Sequence, residues 1–246
     1  MYNWEFNVLG IYNFNNAGPY KPLFDFIKNN HNKLDGDILE AGVFKGSTLL
    51  SMALFLKKIK SNKKIYGFDT FQGFPKLNNK YDNINQFKKL LIENKINVSH
   101  YKKIKKFVQL KKKIFRNKIS FDSVSSSEDF SKVDINLLMK KIKYLDLDNI
   151  VLVKGPFNKT MKSEIKPKKI MAAFIDCDLY DSYMQSLNFI WPKLVFNGLV
   201  QMDEYFSLKF PGARIACDEF FKGKKYHKKK YLIKKDDFER WCFKKK

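Results

Sequence analysis

The chain has 246 residues, 44% of them hydrophobic and 16% aromatic, a composition that excludes a disordered chain and allows a sizeable core. Its formal net charge of +23 comes from lysine, since only three of its 48 basic residues are arginines, Arg116, Arg214 and Arg240. Base readout and bidentate phosphate recognition favour arginine, and abundant Asn and Ile indicate AT-rich codons. We therefore expect no nucleic-acid partner, with attraction to an anionic substrate or membrane surface as the open alternative.

The chain carries no sign of export or membrane insertion. Its first residues lack the basic and apolar stretches of a signal peptide, and its apolar runs fall far short of the roughly 20 residues that span a bilayer. The three cysteines Cys177, Cys217 and Cys242 share no metal-ligand spacing. We therefore expect no membrane span and a cytoplasmic location.

The first third of the chain predicts the start of a parallel sheet. Residues 1–35 are aromatic and Asn-rich without a clean period, and we expect them to cap the core. A strand over Asp37–Glu40, a glycine turn, a helix over Ser47–Leu56 and a strand over Ile65–Phe68 follow. This order opens a doubly wound α/β fold, with Asp69 at the end of the second strand.

A lysine-rich segment then interrupts the alternation of strand and helix. Residues Lys76–Lys118 place apolar side chains at helical spacing, which predicts one or two amphipathic helices. These form either a lid or ordinary packing helices with a solvated lysine face. Residues Ser123–Glu128 are predicted to be a capping loop, and Asp129–Tyr144 a helix. The helical insertion as a whole covers residues 76–145.

The alternation resumes after the insertion. The pattern predicts strands at Ile150–Val153, Ile170–Ile175 and Leu199–Met202, a helix at Ser182–Trp191 ending before Pro192, and late edge strands around Tyr231–Ile233 and Trp241–Phe243. No repeat or domain boundary is evident. We predict a single α/β domain over residues 1–246, with a doubly wound, mostly parallel sheet.

The first five predicted strands end in Asp, Glu or Gly, and ligands bind at that edge of open α/β sheets. Glu40, Gly42 and Gly46, with helix amides beginning around Ser47, suit a zwitterionic amino-acid tail and match neither the phosphate-binding loop nor the three-glycine dinucleotide motif. Asp69 is placed to accept hydrogen bonds from ribose hydroxyls. The combination indicates S-adenosylmethionine. Any one of these acids alone is equally well a helix cap.

Four acids follow two neighbouring strands. Asp176 and Asp178 end one strand, and Asp203 and Glu204 end the next. Converging carboxylates repel one another unless a cation or shared protons lie among them. A hard cation such as Mg²⁺ fulfils that need, and the alternative is that Asp203 and Glu204 are solvated loop acids.

Five blocks of sequence carry a resemblance to a known family. They are Gly36–Ser47 (GDILEAGVFKGS), Phe68–Pro75 (FDTFQGFP), Val153–Met161 (VKGPFNKTM), Ile175–Ser182 (IDCDLYDS) and Met202–Tyr205 (MDEY), the last followed by Pro211–Arg214 (PGAR). In this order they closely resemble the macrocin O-methyltransferase family of sugar O-methyltransferases. The resemblance runs from about Gly36 to Phe221.

The resemblance implies a class I methyltransferase (Rossmann-like) fold with a final antiparallel strand. The family's cofactor residues match Glu40, Gly42, Gly46 and Asp69, with Gly155 and Phe157 near the adenine. Its metal ligands match Asp176, Asp203 and Glu204, and its proposed general base matches Asp178. Where the family usually has two adjacent aspartates, this chain has Asp203-Glu204. The family also implies a homodimer and a glycan or small-molecule acceptor.

We therefore expect a Mg²⁺-dependent transfer of a methyl group from S-adenosylmethionine to a hydroxyl, with Asp178 taking the proton. A nucleic-acid methyltransferase and a non-catalytic binding protein on the same fold are the alternatives. The three histidines, His31, His100 and His227, fall outside every motif and receive no role.

Overall fold

The computed structural model describes residues 1–115, 124–125, 127–233 and 238–246, and its core is a seven-stranded sheet. The strands are β1 (Asp37–Ala41), β2 (Ile65–Asp69), β3 (Ile150–Lys154), β4 (Ile170–Ile175), β5 (Leu194–Met202), β6 (Tyr226–Ile233) and β7 (Phe238–Lys245). Their spatial order is β3-β2-β1-β4-β5-β7-β6. The order reverses between β1 and β4, which is where open α/β sheets form their ligand crevice.

The first five strands are parallel, and β7 pairs antiparallel with both β5 and β6. Glu40 lies opposite Gly67 on one side and Phe174 on the other, so the carboxyl ends of β1, β2 and β4 are level. Met202 is likewise level with Ile175. The predicted fold class is confirmed. Of the two late strands predicted at the edge, β6 is an edge strand and β7 lies inside the sheet.

The helices cover both faces of the sheet. In the described residues they are α1 (Asn3–Leu9), α2 (Lys21–Asn30), α3 (Ser47–Lys58), α4 (Gln86–Ile92), α5 (Val98–Phe115), α6 (Ile135–Tyr144), α7 (Phe157–Thr160), α8 (Tyr180–Lys193) and α9 (Pro211–Phe221). One face packs on α8 and α9, and the other packs on α2, α3 and the N-terminal segment. Every residue of β4 is buried, as expected of a central parallel strand.

Some predicted boundaries differ from the structure, as three elements illustrate. The helix predicted from Asp129 begins at Ile135, because the Asp129 carboxylate accepts hydrogen bonds from Ser131 and the Asp134 side chain caps the helix by accepting from the Leu137 N–H. Helix α8 continues through Pro192 to Lys193, since the Leu194 N–H still reaches the Ile190 carbonyl. Strand β5 begins five residues earlier than predicted, at Leu194.

Helices α4 and α5 form a small cluster of their own against α9, in which Phe87, Leu90 and Ile104 pack with Ile215. They confirm the amphipathic helices predicted for the lysine-rich segment. Residues 116–118 of that prediction, and residues 123 and 126 of the predicted capping loop, lie outside the described residues. Residues 119–122, which also connect α5 to α6, lie outside them as well.

The segment before α4 is attached to the body of the fold by a buried carboxylate. Asp82 accepts one hydrogen bond from the Tyr180 N–H at 2.8 Å and another from the Asn78 N–H at 3.0 Å. The first of these caps the start of α8. Tyr81 stacks on Tyr180 with ring centroids 3.9 Å apart. The insertion therefore meets the sheet at the helix that follows β4.

Segment 1–35 joins the core through α2, whose buried side chains Leu23, Phe24 and Ile27 share a cluster with α3 and the sheet. Tyr20 packs edge-on against Phe174 of β4. A membrane-crossing helix, which must be both long and apolar, does not occur among the described residues.

Candidate active site

A cavity of about 710 Å³ opens at the carboxyl ends of β1, β2, β4 and β5. Its floor is the glycine turn after β1, and its walls come from the loops after the other strands. Tyr12 and Tyr20 line it from the N-terminal segment, and Lys76, Ser125 and Phe130 line it from the insertion. All the site residues predicted from sequence line this cavity except Gly46 and Gly155.

The turn after β1 brings two strand ends close together. Gly42 has φ +91°, and a Cβ built on it would lie 1.9 Å from the backbone oxygen of Asp176. Only glycine fits there, because any side chain would push β1 and β4 apart. Gly46, with φ +80°, precedes the first residue of α3, Ser47. The helix N-terminus therefore points its free N–H groups toward the cavity floor.

Glu40 lines the floor of the cavity, and one of its carboxylate oxygens has no hydrogen-bond partner in the part of the chain that the structure describes. The residue is 1% exposed, and its Oε2 atom is buried without a hydrogen bond among the described residues. Burial, followed by the nearby charge of Asp69, raises the pKa of Glu40 well above its ordinary value. A buried, unpaired carboxylate oxygen is costly unless a cationic ligand group meets it. Glu40 is therefore a candidate partner for an ammonium group.

Asp69 is engaged by the backbone around it. Its Oδ2 accepts hydrogen bonds from the Val43 and Phe44 N–H groups at 2.7 and 2.8 Å, and its Oδ1 accepts one from Phe71 at 2.6 Å. These bonds tie the end of β2 to the glycine turn. The carboxylate still lines the cavity and keeps free lone pairs for a ligand hydroxyl.

The remaining predicted cofactor residues follow β3. Gly155 has φ +138°, outside the region open to side chains, and its N–H donates to the Asp69 carbonyl at 2.9 Å. Phe157 begins α7, is 9% exposed and lines the cavity. The hydrogen bond from Gly155 places the turn after β3 beside the turn after β2. The two turns therefore flank the same part of the cavity.

Three carboxylates meet at the other end of the cavity. Asp176, Asp178 and Glu204 each present an oxygen within 4.8 Å of the others. Burial, and then the charges of neighbouring acids, raises the pKa of Asp176 and of Asp178 well above the usual value. Asp178 has φ +58°, a left-handed conformation that turns the chain sharply after β4. Oxygens so spaced fit a hard divalent cation, whose opposite ligands lie roughly 4 Å apart.

Asp203, the fourth predicted acid, faces an arginine. Arg240 Nη2 lies 3.1 Å from Asp203 Oδ1, and its Nη1 donates to the Asp203 carbonyl at 3.2 Å. Burial raises the pKa of Asp203 to about 6, against the opposing effect of Arg240. Lys209 Nζ lies 3.7 Å from Glu204 Oε1. The structure thus brings all four acids to one place and adds two cations that the sequence did not single out.

A buried tyrosine holds the two strand ends together. The Tyr183 hydroxyl donates to the Ile175 carbonyl at 2.9 Å and accepts from the Glu204 N–H at 3.0 Å. Tyr183 is 0% exposed. Its position on α8 gave only a core-packing signal in the sequence, because nothing local indicates that its hydroxyl spans β4 and β5. The same is true of Arg240, whose partner lies 37 residues earlier in the chain.

The histidines lie apart from this chemistry. His100 is buried, its ring stacks on Phe206 at 3.8 Å, and its Nε2 lies 2.7 Å from the Ser207 carbonyl oxygen. Burial lowers the pKa of His100 to about 4. His100 is thus neutral near pH 7 and donates from Nε2. His31 and His227 are not among the residues that line the cavity.

Comparison with known proteins agrees with this geometry. The sequence model of the macrocin-O-methyltransferase (TylF) family matches residues 25–121 and 118–239. Curated protein sequences give no match. The structure is similar to the O-methyltransferase NovP (TM-score 0.64, 16% identity, 93% of this chain and 80% of that one) and to the calicheamicin methyltransferase CalS11 (0.58, 19%, 90% and 75%).

An O-methyltransferase of Bacillus cereus, solved with S-adenosylhomocysteine, is also similar (TM-score 0.52, 9% identity, 93% of this chain and 80% of that one). Identities this low establish the shared fold, whereas the family match spans most of the chain. The chain therefore belongs to the macrocin-O-methyltransferase (TylF) family and is an S-adenosylmethionine-dependent O-methyltransferase.

Proposed function

We propose that the chain methylates a sugar hydroxyl and that a divalent cation, Mg²⁺ by preference, is needed for the reaction. The observation that carries the proposal is that one cavity holds both the unpaired carboxylate of Glu40 and the cluster of Asp176, Asp178 and Glu204. The first suits a cofactor ammonium, and the second suits a metal beside the acceptor. A methyltransferase without a metal has no need of the second.

The residues around the glycine turn fit S-adenosylmethionine, which supplies the methyl group when bound. Glu40 offers a carboxylate to the ammonium, and the turn from Gly42 to Gly46, with the first amides of α3 at Ser47, offers N–H groups to the carboxylate. In the proposal Asp69 accepts from the ribose hydroxyls. Gly155 and Phe157 flank the adenine, supported by their place beside β2.

The acid cluster fits a cation held mainly by Asp176 and Glu204. The family pattern assigns Asp203 as the third ligand and Asp178 as the general base. The distances instead support Asp178 as the third oxygen near the cation, since Asp203 is paired with Arg240. We propose that Asp178 and Asp203 divide the roles of ligand and proton acceptor, with Asp178 the ligand.

Asp176, Asp178 and Glu204 would hold the divalent cation, which when bound would lower the pKa of the acceptor hydroxyl. The chain's own residues do the rest. The remaining carboxylate accepts the hydroxyl proton, and burial keeps that carboxylate poorly hydrated and therefore more basic than a surface acid. The cavity walls orient the acceptor toward the glycine turn, which matters because methyl transfer depends chiefly on positioning.

The acceptor and assembly complete the proposal. Family membership supports a sugar hydroxyl of a glycan or a glycosylated small molecule, and the cavity of about 710 Å³ is large enough for one sugar beside the cofactor.

We further propose a single domain over residues 1–246 in which residues 76–145 form a lid. Ser125 and Phe130 at the cavity support that role. A homodimer and a cytoplasmic location belong to the same proposal.

The metal requirement is tested with Asp176→Asn. We expect the variant to bind S-adenosylhomocysteine with near wild-type affinity by calorimetry, to bind Mn²⁺ at least tenfold more weakly, and to lose methyl transfer to a panel of nucleotide sugars and oligosaccharides. Wild-type protein in chelator should lose the same activity and regain it with Mg²⁺. Full activity in chelator would refute the metal requirement while leaving the methyltransferase intact.

The division of roles is tested by Mn²⁺ binding to Asp178→Asn and to the double variant D203N/R240Q. The double variant removes Arg240 together with Asp203, so that no unpaired arginine is left beside the site. We expect Asp178→Asn to weaken Mn²⁺ binding about tenfold, because a ligand is lost, and the double variant to weaken it much less. The opposite order would assign Asp203 as the ligand and Asp178 as the base.

A further inference from the structure

A second cavity lies at the amino ends of the parallel strands, opposite the candidate active site. Its volume is about 770 Å³, and it is formed by the loops that precede β1, β2 and β4. These three strands are neighbours, so the loops at their amino ends meet at one place. A five-residue strand spans roughly 15–17 Å. The second cavity is therefore separated from the candidate active site by the full height of the sheet.

The lining of this cavity is far richer in lysine than the chain as a whole. Thirteen of the described residues line it, and six of these are lysines: Lys60, Lys63, Lys64, Lys166, Lys168 and Lys169. In the whole chain fewer than one residue in five is basic, 48 of 246. With two aspartates in the lining, the formal excess is four positive charges. General lysine bias does not account for this density at one concave site.

Some of these lysines already have partners. Lys63 Nζ donates to the Leu34 and Gly36 carbonyls at 2.8 and 2.6 Å, and Lys169 forms an ion pair with Asp35 at 2.7 Å. The Asp37 carboxylate accepts from the backbone N–H of Lys64. Both aspartates are thus engaged with the loops, and they hold the loops in place.

The other four lysines have no such partner. Within the part of the chain that the structure describes, Lys60, Lys64, Lys166 and Lys168 form no ion pair. The positive field is also felt nearby, since burial and then the charge of Lys166 lower the pKa of Lys193. Like charges gathered at one concave site raise the free energy of the protein until an anion joins them.

We propose that this cavity is a binding site for a ligand with clustered phosphoryl groups. Lysine ammonium groups are compact point charges that bind phosphate without the planar geometry that arginine imposes, and arginine is absent from this lining. Four free ammonium groups match a ligand with several negative charges rather than a single carboxylate. Asn32 and Asn62 at the same cavity add neutral hydrogen-bond donors. A soluble polyphosphorylated molecule and the closely spaced headgroups of an anionic phospholipid surface share this chemistry.

The test is calorimetric titration with sodium tripolyphosphate and orthophosphate, together with sedimentation on phosphatidylglycerol and phosphatidylcholine vesicles. The variant K64E/K168E reverses two free charges of the cavity. The matched control, K140E/K143E, makes the same charge change on exposed lysines of α6. We expect tripolyphosphate to bind wild type and control alike, orthophosphate to bind far more weakly, and the cavity variant to lose about tenfold in affinity.

Vesicle binding that is specific to phosphatidylglycerol and lost in the cavity variant would identify a lipid headgroup as the source, and tripolyphosphate binding without vesicle binding would identify a soluble ligand. Either result supports the site. Equal losses in K64E/K168E and K140E/K143E would show a diffuse charge effect and overturn the proposal. So would the absence of binding to tripolyphosphate and to vesicles. S-adenosylhomocysteine binding should be unchanged in both variants, which confirms that they fold.

Discussion

Several acidic residues of the candidate active site are buried in positions that destabilise their charged forms. A cationic ligand group or a metal ion would remove that destabilisation. Glu40 is almost fully buried, and one of its oxygens lacks a partner among the described residues. Asp176 and Asp178 are held beside Glu204, where burial and then the charges of neighbouring acids raise the pKa of both. Folding tolerates such groups when the surrounding structure fixes them, and binding then draws on the stored free energy. A substitution that removes one of these buried charges should therefore raise the free energy of unfolding, or leave it unchanged, and lower the affinity for the ligand.

Glu40→Gln tests this opposition at the cofactor site. Gln keeps the shape of the side chain but removes the buried charge, so the free energy of unfolding of the ligand-free protein should stay equal or rise. The affinity for S-adenosylhomocysteine should fall about tenfold to a hundredfold, since a charge-assisted hydrogen bond contributes roughly 1.5–3 kcal/mol. Urea unfolding and calorimetry measure the two effects. The control is Glu164→Gln at an exposed site, and a parallel loss of both quantities in Glu40→Gln would contradict the assignment.

Tyr183 is a positioning residue whose hydroxyl bridges the ends of β4 and β5. Tyr183→Phe leaves the Glu204 N–H without its partner in a buried place, whereas the Ile175 carbonyl keeps the hydrogen bond from the Asp203 N–H at 3.0 Å. The free energy of unfolding should therefore fall by about 1–3 kcal/mol. Glu204 should also be less well ordered, and Mn²⁺ affinity should fall, a readout that a packing role alone would not change. Tyr144→Phe, at a residue 76% exposed, is the control and should change neither.

At the scale of elements, one buried side chain of the insertion contacts two helices of the fold. Asp82 caps α8 through the Tyr180 N–H and fixes its own loop through the Asn78 N–H. Gly212 at the start of α9 lies against the same carboxylate, since a Cβ there would lie 1.9 Å from Asp82 Oδ1. The insertion, α8 and α9 therefore meet at Asp82. Because α8 and the acids at the end of β4 are adjacent in the chain, this junction also borders the active site.

Asp82 predicts a pH dependence of stability. Burial raises its pKa from 3.8 to about 6, so the folded protein binds the proton more tightly than the unfolded chain. The stabilisation from this group is thus complete below about pH 4 and is lost as the pH rises through 6. The difference in unfolding free energy between wild type and Asp82→Asn should fall by up to about 3 kcal/mol between pH 4 and 6.5 and then level off. Urea unfolding at a series of pH values measures it, and a difference independent of pH would contradict the assignment.

At the scale of the whole molecule, ligand binding and folding are linked. The glycine turn, the acid cluster and the insertion all surround one cavity, so a ligand there binds only the folded chain. S-adenosylhomocysteine at a hundred times its Kd should stabilise the fold by about 2.7 kcal/mol, which corresponds to a rise in Tm of roughly 5–10 °C. Differential scanning fluorimetry measures the shift. Glu40→Gln at the same ligand concentration should show a smaller one.

The sequence by itself determined the sheet and the position of its functional edge. Apolar runs that end in Glu40, Asp69, Asp176 and Asp203 specify parallel strands, and the carboxyl ends of parallel strands must share an edge. The glycines of the turn could also be predicted from the sequence. Positive φ values and a close approach of two backbones leave little room for any other residue type. These features are local or follow from the topology of the fold. The residues matched by the family model include these strand ends and the glycine turn.

Only the tertiary structure decided which side chains lie next to each of the four acids. Asp178 presents an oxygen within 4.8 Å of Asp176 and Glu204, while Arg240, brought in by a late antiparallel strand, pairs with Asp203. The capping of α8 by Asp82 and the gathering of lysines at the far edge depend in the same way on residues distant in sequence. Periodicity and spacing report which edge a residue occupies. Which side chains meet there depends on packing between distant segments, and no local pattern records it.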